Sequence, residues 1–179
     1  MPCRSVVPAG FSPLPQRPPA RTPAARLCGD DELAALVGAA RAVRPAPVSA
    51  VVGTASDAIS RANGELLAAA WAEDGGTVLA TVRWPETAAS WLRPARRFAA
   101  PEPDVWLVAA TVPGWAAMGR RLVTSTAWSP ARTFATTPLA DPELIALGGI
   151  GTFDGLRGAY PDGRLWTVQR TLLRPWATG

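Results

Sequence analysis

Histidine and lysine are both missing from the 179 residues. Without histidine there is no Ser-His-Asp triad, no Cys-His pair and no imidazole metal ligand. Without lysine there is no Schiff base and no Walker-type phosphate loop. Cysteine is scarce too, with Cys3 and Cys28 as the only thiols. Two cysteines do not make a disulfide framework, and they read as free thiols. Uninterrupted apolar runs are short, and none approaches the roughly 20 residues of a membrane span. No nucleophile has a base beside it in the sequence. An enzyme is therefore not expected, and neither a metal nor a cofactor is called for.

What is present is arginine, which supplies all 18 basic side chains against 14 acidic ones, a net charge of +4. A basic chain raises the question of nucleic acid. Apart from Arg96–Arg97 and Arg120–Arg121, however, the arginines are scattered and alternate with acids. Nucleic acid is not the expected partner. Hydrophobic residues make up 48%, enough for a core, and the length suits one ordinary domain.

Residues 1–29 stand apart. They are rich in Pro and Arg and contain no acid. Proline at this density prevents helices and sheet ladders, so a disordered tail is expected. Pro8, Pro13 and Pro15 interrupt every candidate secretory core, and no lipoprotein signal is visible. The sequence itself names no compartment.

From residue 30 to 179 a single α/β domain is expected. "DDELAALVGAARAV" is an amphipathic helix opened by acids. Apolar runs then alternate with helical stretches. "VSAVVG", "TVLATVRW", "DVWLVAA" and "RTFATT" read as strands. "SDAISRANGELLAAAWAEDGG", "TAASWLRPARRF", "VPGWAAMGRRLV" and "DPELIALGG" read as helices. Ser56 is expected to cap the second helix and Asp141 the last. Pro94 should kink or restart its helix. "FDGLRGAY" and "RLWTVQRTL" read as two closing strands around the turn "YPDGR". The pattern predicts a doubly wound three-layer α/β/α domain with a mostly parallel sheet.

Ligands in such sheets bind beyond the carboxyl ends of the strands. Those tips are "GTASD", "WPET", "ATVPGW" and "TTPLAD". They offer hydroxyls, helix N-terminal amides and an aromatic face, which suit a small polar molecule. Glu86 and Asp57 are both carboxylates at tips, though nothing in the sequence places them together.

The stretch from Val48 to about Thr167 resembles the C-terminal lobe of type 1 periplasmic-binding-fold proteins, the solute receptors of ABC transporters. "VSAVVGTASDAISRANGELLAAAWAEDGGTVLATVRWPET" is similar to that lobe's first strand, long helix, double-glycine stop and second strand. "PEPDVWLVAATVPGWAAMGRRL" resembles the following strand–helix unit, and "TFATTPLADPELIALGG" and "FDGLRGAYPDG" the later pieces. The resemblance implies a non-enzymatic lobe that binds an amino acid or amide-like solute. The positions facing the cleft would be Thr54, Ser56, Asp57, Thr111, Trp115, Thr137 and Asp141. It also implies an ABC transporter permease as partner and an extracytoplasmic location. The family closes two lobes on its ligand, and this stretch corresponds to one. The face turned toward the second lobe would then favour self-association.

A flavodoxin-like FMN-binding redox protein is the alternative. "VVGTASDAIS" is similar to that family's hydroxyl-rich phosphate loop, and "AATVPGW" supplies an aromatic for the flavin ring. Asp57 departs from that pattern, since a carboxylate repels phosphate.

Overall fold

The computed structural model describes residues 26–177. Most of the tail lies outside the described residues, so the expectation of disorder there does as well. Residues 26–29 are described, and Cys28 is buried.

Seven strands form one sheet: β1 (Ser49–Ala55), β2 (Thr77–Trp84), β3 (Val105–Ala109), β4 (Thr133–Ala135), β5 (Arg157–Ala159), β6 (Leu165–Gln169) and β7 (Leu172–Trp176). Five α-helices connect or flank them: α1 (Asp30–Arg41), α2 (Ala58–Glu73), α3 (Leu92–Ala99), α4 (Val112–Ser125) and α5 (Pro142–Gly148). The strand order is β2-β1-β3-β4-β5-β6-β7. The first five are parallel, and β6 and β7 run antiparallel to their neighbours.

The central strands are buried on both faces because helices cover both. Alternate residues of β1 feed two cores. Val51 and Ala55 join a core with Trp84, Phe98, Trp115 and Phe153 under α3, α4 and α5. Ala50 and Val52 join a second with Leu36, Leu67, Trp71 and Phe134 under α1 and α2. This is the doubly wound α/β architecture expected from the sequence.

Several local expectations change. Asp57, not Ser56, caps α2: its Oδ1 accepts from Ser60 N–H at 2.8 Å, while the Ser56 hydroxyl donates to the Trp84 carbonyl. Asp57 wins because Ser56 is drawn to the neighbouring strand tip. Pro94 neither kinks nor restarts α3, which begins at Leu92 and holds Pro94 in its first turn, where no N–H is needed. "RLWTVQRTL" is not one strand. The chain reverses after Gln169, with Arg170 at φ 57°, and returns as β7. "FDGLRGAY" yields only the three residues of β5, because Gly151 and Gly155 take positive φ in the preceding turns.

The turn at "YPDGR" and the cap at Asp141 are as the sequence reads. Gly163 N–H donates to the Tyr160 carbonyl at 3.0 Å, and Asp141 Oδ1 accepts from Glu143 N–H at 2.8 Å. Gly64, an apparent flaw in mid-helix, is explained by packing: a Cβ there would collide with the Thr54 methyl.

Candidate functional site

The chain leaves β1 toward β2 on one side, then crosses to β3 on the other. In a doubly wound sheet that reversal opens a crevice at the strand tips. Thr54, Ser56 and Asp57 lie at the carboxyl end of β1 or just beyond it, and Thr111 and Trp115 follow β3, with Trp115 in the core beneath α4 and not at an open tip. Thr137 and Asp141 follow β4, the next strand along.

Each of these side chains has a definite place. Thr54 is 2% exposed, its methyl lies against Gly64, and its hydroxyl has no partner among the described residues. Asp57 spends Oδ1 on the α2 cap, and its Oδ2 is buried without a donor. Thr111 stands at the N-terminus of α4 and makes no side-chain cap bond. Trp115 is wholly buried, with ring centroids 5.4 Å from Trp84, 5.8 Å from Trp128 and 6.0 Å from Phe98 and Phe153. Thr137 gives both its backbone N–H and its hydroxyl to Glu32 Oε1, at 2.8 and 2.7 Å.

Two acidic residues shape the tips more than the sequence suggests. Glu86, beyond β2, reaches across the β1 tip and accepts from Gly114 N–H at 2.9 Å. A carboxylate thus sits on the positive end of α4, a favourable placement. Its second oxygen, Oε1, is buried without a donor. A side chain at 114 would press on this carboxylate and make it shift.

Glu32, in the first turn of α1, is 1% exposed. It pairs with Arg26 as well as holding Thr137. Asn63 of α2 secures the segment before it, accepting from Cys28 N–H at 2.8 Å and donating to the Arg26 carbonyl at 3.0 Å. Burial, with the Glu32 carboxylate adding to it, pushes the Cys28 thiol up to about 12. Residues 26–29 therefore bridge from α2 to Glu32, which in turn holds the β4 tip. The sequence could not reveal this, because it depends on residues 63 and 137 meeting a stretch that reads as tail.

Among the described residues no group of three or more His, Cys, Asp or Glu is gathered to hold a metal. No described helix is long and apolar enough to cross a membrane.

No family model matches the chain, and no curated protein sequence matches it. Solved structures do. An extracellular ligand-binding receptor from Rhodopseudomonas palustris HaA2 superposes with a TM-score of 0.60 at 24% identity, over 74% of this chain and 36% of that one. A protein described as a branched-chain amino acid ABC transporter from Rhodospirillum rubrum gives 0.59 at 18% identity, over 74% and 37%. A leucine-binding protein from Thermotoga maritima MSB8 gives 0.57 at 20% identity, over 74% and 37%. The chain spans little more than a third of the length of each of these proteins. The likeness is one of fold. The chain is built like one lobe of a type 1 periplasmic binding protein, as its sequence resemblance implies.

Proposed function

We propose that the chain is a non-enzymatic lobe that binds a small zwitterionic or amide-bearing solute at the tips of β1, β3 and β4. The observation that carries this reading is the match in fold to about a third of proteins named as a ligand-binding receptor, a leucine-binding protein and a branched-chain amino acid ABC transporter. The chemistry of the crevice is compatible with such a solute. Asp57 Oδ2 and Glu86 Oε1 are carboxylate oxygens with no donor of their own among the described residues. They suit an ammonium or amide N–H. Ser56 and Thr111 add hydroxyls just beyond β1 and β3. Thr54, Trp115, Thr137 and Asp141 hold the surrounding tips in place on this reading. A second lobe would close over the solute, and a transporter permease would receive it.

The test is a thermal-shift titration of the full chain with free amino acids, their amides and flavin mononucleotide, alongside an absorbance spectrum. Saturable stabilisation of a colourless protein by an amino acid or amide is the expected result. At 100 times the dissociation constant it amounts to about 2.7 kcal/mol. A yellow protein, or stabilisation by the flavin alone, would transfer the site to redox chemistry. Stabilisation by none of them would sink the binding reading.

A further inference from the structure

Remote from the strand tips, on the α1 face of the sheet, lies a groove of about 370 Å3. Val43 and Arg44 line it from the end of α1, Ala131 and Arg132 from the turn before β4, Arg157 from β5 and Trp176 from β7. α1 begins beside the β4 tip, through Glu32 and Thr137, and ends here at the amino ends of β4 and β5. Three arginines from three distant parts of the chain thus line one space.

Among the described residues none of the three has an acidic partner. The ion pairs of the described residues use Arg26, Arg41 and Arg164. No acidic residue lines the groove. Asp104 lies near enough to Arg132 to feel its charge, but it accepts from Val48 N–H, Ser49 N–H and the Ser49 hydroxyl. Among the described residues Arg44 donates to the carbonyls of Arg41, Ala42 and Val43, at 3.3 to 3.4 Å.

Arg157 is the most telling of the three. It is partly buried, stacked 4.6 Å from the Trp176 ring centroid and 5.9 Å from that of Phe134. Aromatic faces position the guanidinium and offset part of its desolvation. Among the described residues its N–H groups find no acceptor, and burial pushes its pKa down. A partly desolvated cation gains more from an incoming anion than a fully hydrated one does. Planar guanidinium forks match the oxygens of phosphate in paired hydrogen bonds.

We propose that this groove binds a phosphate group, carried by a small soluble phosphate ester, through Arg44, Arg132 and Arg157. The site is independent of the strand-tip crevice and of the function proposed for it.

The test is calorimetric titration of the full chain with inorganic pyrophosphate at fixed ionic strength, with co-sedimentation on vesicles containing phosphatidic acid as a second arm. One saturable site for pyrophosphate is expected, and Arg44→Gln with Arg132→Gln should weaken it roughly tenfold or more. Arg120→Gln with Arg121→Gln removes the same charge from exposed positions on α4 and should leave binding unchanged. Arg157→Gln is a third variant, checked for folding by circular dichroism. Vesicle binding that is lost in the groove variant alone would assign the same phosphate chemistry to a lipid headgroup. Failure to bind either probe, or equal weakening in both double variants, overturns the proposal.

Discussion

Gly64 and Thr54 show how a single atom fixes a residue. Glycine inside a helix costs about 1 kcal/mol relative to alanine. On propensity alone Gly64→Ala should stabilise α2. The Thr54 methyl occupies the space that the new Cβ needs, so the sign reverses. Overpacking of this kind typically costs about 1–3 kcal/mol. We expect Gly64→Ala to lower the midpoint of urea unfolding. Thr54→Ser removes the obstructing methyl, so the double variant should recover most of the loss. A strictly additive double-mutant cycle would disprove the contact. In the sequence Gly64 reads only as a flaw. Its purpose depends on which strand residue lies beneath it, and that is set by the tertiary fold.

At the scale of elements, the helices and parallel strands were legible because each carries its own period and its own stop. Gly75 at φ 80° and the Asp141–Pro142 start are local signals with local causes. The last two strands were less so. A five-residue strand, a two-residue reversal at Arg170 and a second five-residue strand leave no room for a turn cluster. Asp104 is another element-scale device. Its carboxylate ties the start of β1 to the start of β3 through Val48 and Ser49, at 2.8 to 3.0 Å. The Ser49 hydroxyl, with the two backbone N–H groups, holds its pKa below the usual 3.8. A carboxyl with a lowered folded pKa stabilises the fold above its unfolded pKa and loses that contribution as pH falls through the folded value. Asp104→Asn should cost about 1 kcal/mol at neutral pH. It should also flatten the fall in stability on acidification below about pH 4. An unchanged acid limb in the variant would show that this carboxylate is not what titrates.

The described residues were readable as a doubly wound domain, and the position of its strand tips followed from that. The wiring between those tips did not. Glu32, Asn63 and Glu86 act through partners 105, 35 and 28 residues away, beyond any local pattern. The same scale bears on association. Val48, Leu79, Leu172 and Ile150 are exposed by 66%, 46%, 53% and 88%. These side chains are apolar surface that a second copy could bury, so the chain on its own is expected to form reversible oligomers, visible by sedimentation velocity as an s-value that rises with concentration. A single monomeric boundary at every loading would remove that expectation.

The two margins of the sheet are not equivalent. β7 carries Pro175, which offers no N–H to a newcomer. β2 presents residues 77 to 84 without a proline. Strand addition is therefore expected along β2 and opposed along β7. Two copies joined along β2 would turn only their β7 borders outward. Such a pairing ends itself at the dimer instead of propagating into a fibre.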